Sequence, residues 1–228
     1  MSLPISRSLL GSLCNSSVES DDVSPNITEV IVVRHGETEW NSQRRVQGQS
    51  DIDLNEVGRE QALAVAKKLC GGPKFSVVYC SDLKRAFDTA QTIAKLCGGL
   101  EVVTDPELRE RHMGDLQGVL WPEVEKVCPE GYQAFVSNQR CQEIPGGGES
   151  IDQFYERSIT SLKKIVAKHR GKRIVMVGHG AYIEELYSRA SLGKKSPKIP
   201  NASINVLHLS DDDEWTIEIW CDVSHLQG

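Results

Sequence analysis

The stretch of sequence that decides the fold is Val32–Asn41, which reads VVRHGETEWN. It continues a run of β-branched apolar residues that begins at Val30, and such a run predicts a buried strand. The strand ends in Arg34, His35 and Gly36, and ligands of open α/β sheets bind beyond the carboxyl ends of strands. A helix start directly afterwards would favour an anion. The stretch therefore predicts a phosphate site, although a strand that merely ends in a polar turn remains an alternative on these residues alone.

The composition indicates an ordinary globular protein. The chain has 228 residues, of which 39% are hydrophobic and 25% charged, and its formal net charge is −6. One domain of this length is common and can bury a large core. An acidic chain without a basic stripe is a poor non-specific binder of nucleic acid, and no apolar run approaches the ~20 residues of a membrane helix. We therefore expect no nucleic-acid or membrane partner, and any attraction for an anionic substrate must be local. Together with the predicted phosphate site, this makes a small phosphorylated substrate the expected partner, and a monomer and a homodimer are both left open.

The cysteines indicate a reducing environment. There are seven, an odd number, and they form no CxxC motif and no Cys/His cluster. This pattern argues against a disulfide framework and against a structural zinc site. We expect a cytoplasmic protein, because reduced cysteines are typical of that compartment.

Residues 1–27 are expected to form a flexible tail, because the segment is rich in Ser and lacks apolar periodicity. Its first 18 residues carry Arg7 and no acid, which leaves organelle targeting by a transit peptide open. Glu19, Asp21 and Asp22 follow quickly and argue against that interpretation. Residues 28–228 are expected to form one catalytic domain.

Apolar periodicity and Gly/Pro breaks predict alternating strands and helices after the first strand. The predicted helices are Glu37–Arg45, Gly58–Leu69, Leu83–Leu96, an interrupted Pro122–Asn138, Ser150–Lys168 and Tyr182–Ser191. The predicted strands are Phe75–Cys80, Glu101–Thr104, Arg173–Val177 and the hairpin Ile204–Leu209 with Trp215–Cys221. The apolar residues of Pro106–Val119 show no clear helical or strand periodicity, so this segment is predicted to be a loop that carries functional residues. The alternation predicts a three-layer α/β/α fold with a mainly parallel sheet and an antiparallel edge strand.

Several predicted strands end in residues that can bind phosphate. Arg34 and His35 follow the first strand, Arg85 lies just beyond the second, and His179 follows the strand that starts at Arg173. Taken alone, Arg85 is typical of a helix-surface charge and His179 of a hydrogen-bonded buried histidine. Together they should converge, because parallel strands share one carboxyl edge. Arg binds phosphate bidentately and stays charged, while a neutral His can attack phosphorus.

Four sequence blocks resemble the histidine phosphatase superfamily, also called the phosphoglycerate mutase-like family. They are VVRHGETEWN, SDLKRAFDTA, LRERHMGDLQG and VMVGHG, and they occur in the family's order. The resemblance covers about residues 27–226. It implies a phosphoglycerate mutase-like fold and a metal-independent phosphomonoesterase that acts through a phosphohistidine intermediate, with no cofactor, on a small phosphorylated metabolite.

The resemblance also implies roles for individual residues. His35 would be the nucleophile, and Glu110 would donate a proton to the leaving oxygen and then activate water. The residues that would hold the phosphoryl oxygens are Arg34, Arg85 and His179, and those beside the substrate are Asn41, Gln47 and Gly48. Fixed cations suit this reaction, because phosphoryl transfer gathers negative charge on the equatorial oxygens. The second ring nitrogen of His35 needs a hydrogen-bond acceptor, for which we expect a backbone carbonyl.

The choice between phosphatase and mutase depends on blocks in which the family's branches differ. The block ERHMGDLQG resembles cofactor-dependent mutases, which typically read ERHYG.LQG. Those mutases also carry paired arginines and a Pro-rich stretch in the insertion that follows this block. In this chain the corresponding residues 119–144 contain a single arginine, Arg140, and no run of prolines. They have Asn where this chain has Ala181, and the run Pro145–Ser150 resembles the phosphatase branch. We therefore predict a phosphatase, with a phosphoglycerate mutase as the alternative and a low-activity binding module of the same fold as a further one.

Overall fold

The computed structural model describes residues 26–227, so the predicted tail lies outside the described residues except for its last two positions. Its six-stranded sheet has the order β3-β2-β4-β1-β5-β6. The strands are β1 Ile27–Arg34, β2 Val78–Cys80, β3 Val102–Thr104, β4 Arg173–Gly178, β5 Ile204–Ser210 and β6 Trp215–Asp222. β1 to β4 run parallel, and β5 pairs antiparallel with both β1 and β6. This confirms a mainly parallel sheet that ends in an antiparallel hairpin.

Helices cover both faces of the sheet, which confirms the three layers. The helices are α1 Glu39–Ser42, α2 Glu56–Cys70, α3 Lys84–Leu96, α4 Val124–Val127, α5 Pro129–Val136, α6 Ile151–Lys168 and α7 Gly180–Ala190. Val30 and Val32 of β1 pack with α6 and α7, whereas Ile31 and Val33 pack with α2 and α3. Successive side chains of a strand point to opposite faces, so a strand covered on both faces must be apolar throughout.

The carboxyl ends of the parallel strands meet at one edge of the sheet. Arg34 at the end of β1 lies opposite Gly178 at the end of β4, and Cys80 of β2 lies opposite Val177. The backbone N–H of His35 donates to the carbonyl of Gly178 at 3.0 Å, which continues the pairing by one residue. The side chains that follow these strands are therefore held within one small region.

Residues 105–150, which we call the cap, lie over this edge. Four of them, Met113, Leu116, Val124 and Ile144, form a small hydrophobic core together with Val46 from the loop after α1. The predicted loop Pro106–Val119 is confirmed as irregular and includes two 3-10 turns. The interrupted helix predicted over Pro122–Asn138 is confirmed as two helices, α4 and α5, which are broken at Cys128 ahead of Pro129, whereas Gly131 lies within α5.

Two elements are shorter than the sequence predicts. The helix predicted over Glu37–Arg45 is the single turn α1, because Arg44 adopts a left-handed φ of 56° and Thr38 caps the turn at its start. Thr38 Oγ1 already accepts the backbone N–H of Asn41, so this turn does not provide the predicted anion site. The strand predicted from Phe75 begins at Val78, where pairing with β3 starts.

A close backbone contact connects the loop after β1 to the start of α2. A Cβ atom on Gly36 would lie 2.3 Å from the carbonyl oxygen of Gly58, and one on Gly58 would lie 2.0 Å from that of Glu37. No side chain fits at either position without moving backbone. These two glycines therefore let α2 pack directly against the residues that follow His35.

The expectation about cysteines is wrong for one pair. Cys70 at the end of α2 and Cys97 after α3 form a disulfide, whereas Cys80, Cys128, Cys141 and Cys221 are free thiols. Residues 26–227 contain no cluster of three or more His, Cys, Asp or Glu side chains arranged to bind a metal. Within the same range, none of the helices combines the length and the apolar character that crossing a bilayer requires.

Candidate active site

A cavity of about 400 Å³ lies at the carboxyl edge of the sheet, beneath the cap. Among its lining residues are the predicted site residues Arg34, His35, Asn41, Gln47, Gly48, Arg85 and Glu110. His179 is fully buried, and its ring centroid lies 5.1 Å from that of His35. The structure thus brings together all the residues that the sequence analysis singled out, with His179 adjacent to His35 and outside the cavity lining.

His35 is held in a defined orientation by backbone groups. Its Nδ1 atom lies 2.7 Å from the carbonyl oxygen of Gly36, which confirms the expected backbone acceptor. A carbonyl accepts only, so Nδ1 carries the proton and Nε2 keeps its lone pair. The amide of Asn201 donates to the carbonyls of His35 and Gly36 at 3.1 and 3.3 Å, and Thr89 Oγ1 accepts the N–H of Gly36. The loop therefore presents a fixed imidazole with a free lone pair.

Both histidines are neutral near pH 7. Burial lowers the pKa of His35 well below its ordinary value, and the nearby positive charges of Arg85 and Arg34 lower it further. Burial and Arg85 have the same effect on the pKa of His179. A neutral imidazole is the form that can act as a nucleophile.

Arg34 and Arg85 provide two cations with fixed guanidinium groups, of which Arg85 is fully buried and Arg34 half-buried. Arg34 Nη1 donates to the carbonyl of Ile199 at 2.6 Å, while Nη1 and Nη2 of Arg85 donate to those of Ser50 and Gly48 at 2.7 and 2.8 Å. Burial lowers the pKa of Arg85 to about 10, so it remains charged at neutral pH. Gly48, which lines the cavity, thus also orients Arg85.

Several buried polar atoms of the residues around His35 have no hydrogen-bond partner in the part of the chain that the structure describes. The Nε atoms of Arg34 and Arg85 and both ring nitrogens of His179 are buried and have no hydrogen-bond partner within residues 26–227. Buried polar groups normally have partners, and leaving one unsatisfied costs about 1–3 kcal/mol. A bound anion with several oxygens would accept from the two arginine Nε atoms and from the protonated ring nitrogen of His179, and phosphate has that chemistry.

Thr38 orients two amide side chains beside this pocket. Its hydroxyl lies 2.9 Å from Oε1 of Gln47 and 3.1 Å from Oδ1 of Asn41. Nδ2 of Asn201 also donates to Oδ1 of Asn41, at 3.1 Å. Because the oxygens of both amides are occupied, their NH₂ groups are the parts left to donate to a ligand in the cavity.

Glu110 is fixed at the boundary between the cap and α7. Its Oε1 accepts the backbone N–H of Arg111 at 2.9 Å, and its Oε2 accepts that of Ala181 at 3.2 Å. Arg157 supports the segment from behind, since it donates to the carbonyl of Glu110 at 2.9 Å and to the carboxylate of Glu149. The carboxyl group therefore faces the cavity from a rigid position.

The sequence analysis missed most of the wall farther from His35. This wall contains the apolar side chains Met113, Trp121, Phe135, Ile151 and Phe154, and the charged side chains Arg45, Arg111, Glu184 and Glu185. Glu184 and Glu185 follow Ala181 at helical spacing on α7, so the i, i+3, i+4 pattern after His179 is a signal that could have found them. Arg45 falls on the same segment as Asn41, Gln47 and Gly48, which the resemblance to the family places beside the substrate.

Comparisons with known proteins agree with this geometry. A model of the histidine phosphatase superfamily (branch 1) matches residues 30–223. Phosphoglycerate mutase-like protein 4 of Arabidopsis thaliana is 54% identical over 213 residues, which cover 93% of this chain and 92% of that protein. The metal-independent phosphoserine phosphatase of the same plant is 49% identical over 210 residues, with coverages of 92% and 88%.

A solved structure shows the same architecture. Phosphoserine phosphatase from Entamoeba histolytica, in complex with 3-phosphoglyceric acid, matches with a TM-score of 0.76 at 28% identity, over 87% of this chain and 99% of that one. The family match extends from β1 to the end of the sheet and includes every side chain of the pocket described above. The chain belongs to the histidine phosphatase superfamily.

Proposed function

We propose that residues 28–228 form a single catalytic domain that hydrolyses a small phosphate monoester without a metal, through a phosphohistidine at His35. The observation that carries this proposal is the orientation of the neutral His35 ring, which Gly36 holds with Nε2 free beside the positive charges of Arg34 and Arg85. The likeness to a metal-independent phosphoserine phosphatase supports hydrolysis as the outcome.

In the first half of the reaction, Nε2 of His35 attacks phosphorus in line with the leaving oxygen. The N–P bond forms as the P–O bond breaks, and the electron pair of that bond moves to the leaving oxygen. Glu110 protonates this oxygen, so the substrate departs as a neutral alcohol. Arg34 and Arg85 stabilise the charge on the equatorial oxygens.

In the second half, the ionised Glu110 takes a proton from water. The water oxygen attacks phosphorus from the side that the alcohol has left, and the P–N bond breaks to restore neutral His35. Inorganic phosphate is the product. Both halves use the same residues in reversed roles, so one carboxyl group beside one imidazole is sufficient.

A cofactor-dependent phosphoglycerate mutase is the second candidate. The observation that favours it is Arg111, a buried cation in the cavity wall that can hold a substrate carboxylate. The name of the phosphoglycerate mutase-like relative points the same way. Both candidates share the phosphohistidine step and differ only in whether water or the released acid takes the phosphoryl group.

Turnover of an aryl phosphate after exhaustive chelation tests the proposal. We expect activity to persist in the chelated wild type and to fall by a factor on the order of 10³ or more in His35→Ala, since the nucleophile is lost. His169→Ala is a matched control, because that ring bonds Tyr79 and lies before β4, at the opposite end of the sheet. Normal turnover in folded His35→Ala, or activity restored only by a divalent ion, would contradict the mechanism. Absence of wild-type turnover would favour the binding module.

A further inference from the structure

We propose that Asn201 is a positioning residue, which aligns the nucleophile His35 with the cavity-lining amide of Asn41. Its Nδ2 atom donates to the carbonyls of His35 and Gly36 at 3.1 and 3.3 Å. The same atom donates to Oδ1 of Asn41 at 3.1 Å. Asn201 lies outside the cavity lining, so it acts through these partners and not by contact with the substrate. This role rests on the proposed phosphohistidine mechanism, which defines His35 as the nucleophile.

The hydrogen bond from Asn201 to Gly36 reaches the group that orients the catalytic ring. The carbonyl oxygen of Gly36 has two lone pairs and accepts from two donors, Nδ1 of His35 at 2.7 Å and Nδ2 of Asn201. Asn201 therefore fixes, from outside the loop, the direction of the carbonyl that sets the tautomer and the angle of the imidazole. In-line attack needs Nε2 to point at phosphorus, and a displacement of about 1 Å can slow a reaction about 10²-fold.

The hydrogen bond to Asn41 connects the nucleophile to a group that faces the ligand. Oδ1 of Asn41 accepts from Nδ2 of Asn201 and from Oγ1 of Thr38, both at 3.1 Å, which leaves the NH₂ group of Asn41 to donate into the cavity. Nδ2 of Asn201 carries two hydrogens but serves three acceptors, so at least one hydrogen is shared between two of them. One side chain thus holds the position of the His35 loop relative to Asn41.

The backbone beside Asn201 is fixed against the same loop. Ala202 is fully buried, and its N–H donates to the carbonyls of Arg34 and His35 at 3.0 and 3.2 Å. The N–H of Arg34 donates to the carbonyl of Ser203 at 3.2 Å. Ala202 adopts a left-handed φ of 57°, which is unfavourable for a residue with a Cβ and persists where the surrounding structure enforces it, often at functional sites. This turn directs the Asn201 side chain and the Ala202 N–H to one loop.

A second asparagine, Asn205, offers a matched control for a purely structural role. It is fully buried in β5, and its Nδ2 donates to the carbonyl of Val32 at 3.1 Å while its Oδ1 accepts the N–H of Cys221 at 2.8 Å. These contacts join β5 to β1 and β6 within the sheet. Asn205→Ala should therefore lower the thermal stability of the protein and leave the alignment of His35 intact.

Two inhibitors separate the alignment of His35 from the binding of an anion in general. Orthovanadate adopts a five-coordinate geometry with Nε2 of His35 in one axial position, so it resembles the transition state and requires the ring in line. Inorganic phosphate requires only the groups that hold its oxygens. For Asn201→Ala we expect the affinity for vanadate, and the single-turnover rate of His35 phosphorylation by an aryl phosphate, to fall about 10²-fold. The affinity for phosphate should fall less than about tenfold, which corresponds to one hydrogen bond.

Two further variants test the amide of Asn201 as a donor. Asn201→Asp keeps the shape of the side chain but replaces the donor with an acceptor, so the phosphorylation rate should fall at least as far as in Asn201→Ala. Asn201→Ser keeps a hydroxyl donor on a shorter side chain and serves if the alanine variant does not fold. In both variants vanadate should lose more affinity than phosphate does.

A double-mutant cycle tests the connection between Asn201 and Asn41. Asn41→Ala should lower kcat/KM about tenfold in the wild type, since a hydrogen bond to the ligand is lost. In the Asn201→Ala background the same change should cost less than about threefold, because residues of one hydrogen-bond network are not additive. Fully additive losses would show that Asn201 does not orient Asn41.

The positioning role and the proposed function fail on different results. If the wild type is phosphorylated on His35 but folded Asn201→Ala or Asn201→Ser loses vanadate and phosphate affinity equally, as a structural variant like Asn205→Ala can, the positioning role is wrong. A wild-type rate in Asn201→Asp would also contradict it. If the wild type carries no phosphate on His35 and hydrolyses no phosphate monoester, the proposed function fails, and the role of Asn201 fails with it.

Discussion

Nδ1 of His35 lies 2.7 Å from the carbonyl oxygen of the next residue, Gly36. This contact is made within the loop itself, so the tautomer of the ring is set as soon as the loop folds. The loop is held in turn by the close approach of Gly36 to Gly58 at the start of α2. Two glycines thus fix the position of an imidazole that has to meet phosphorus in line.

The neutral state of the buried histidines should appear in the pH dependence of stability. Burial lowers the pKa of both His35 and His179, so below about pH 6.5 the unfolded chain binds protons that the native chain does not. Stability should therefore fall from pH 6.5 to pH 5, by at most about 1.4 kcal/mol per pH unit for each histidine. Urea unfolding of the wild type and of His35→Asn measures this. The variant should have the shallower slope, and equal slopes would show that His35 titrates normally.

The role of Glu110 predicts a dependence on the leaving group. Alkyl phosphates need protonation of the leaving oxygen, whereas an aryl phosphate leaves with less help. Glu110→Gln should lower kcat/KM by about 10²–10⁴ for an alkyl ester and much less for the aryl ester. The ratio kcat/KM is the right measure because it excludes the later hydrolysis of phosphohistidine. Glu125→Gln, at an exposed position in the cap, is the control. Equal losses on both esters would exclude the general-acid role.

The fate of the phosphoryl group separates the phosphatase from the mutase. Given 3-phosphoglycerate and a bisphosphate primer, the protein should release inorganic phosphate faster than it forms 2-phosphoglycerate. Ala181 offers the cavity only a methyl group, and Arg140 of the cap pairs with Asp152 outside the cavity lining. With few groups to retain a bisphosphate, water should reach the phosphohistidine first. Efficient isomerisation with negligible phosphate release would instead assign the chain as a mutase.

The pattern of apolar residues, together with the rule that parallel strands share one carboxyl edge, was enough to predict which residues form the centre of the site. The apolar run of β1 predicts a strand buried on both faces, and parallel strands must bring their carboxyl ends together. Arg34 ends β1, His35 and His179 directly follow β1 and β4, and Arg85 lies in the first turn of the helix after β2. Their convergence was therefore predictable without coordinates. The role of each residue came from the resemblance to the family, because residue type alone does not distinguish Arg85 from a surface charge.

The features of the structure that the sequence analysis did not predict depend on contacts between residues that are far apart in the sequence. Arg111 and Glu184 are charges on a loop and a helix, a pattern typical of solvated surfaces, and only the fold places them around one cavity. The hydrogen bond from Asn201 to Asn41 likewise connects residues far apart in the chain. Cys70 and Cys97 meet because α2 and α3 pack side by side and end at the same level, which their spacing does not reveal.

Trapping the covalent intermediate tests the central claim most directly. The wild type is mixed with a ³²P-labelled phosphate monoester, quenched in alkali within milliseconds, and digested to locate the label. The account predicts an alkali-stable, acid-labile phosphate on the peptide that contains His35, and its loss in folded His35→Ala. An acid-stable label on another residue, equal labelling of His35→Ala, or an active wild type that never accumulates label under single-turnover conditions would contradict it.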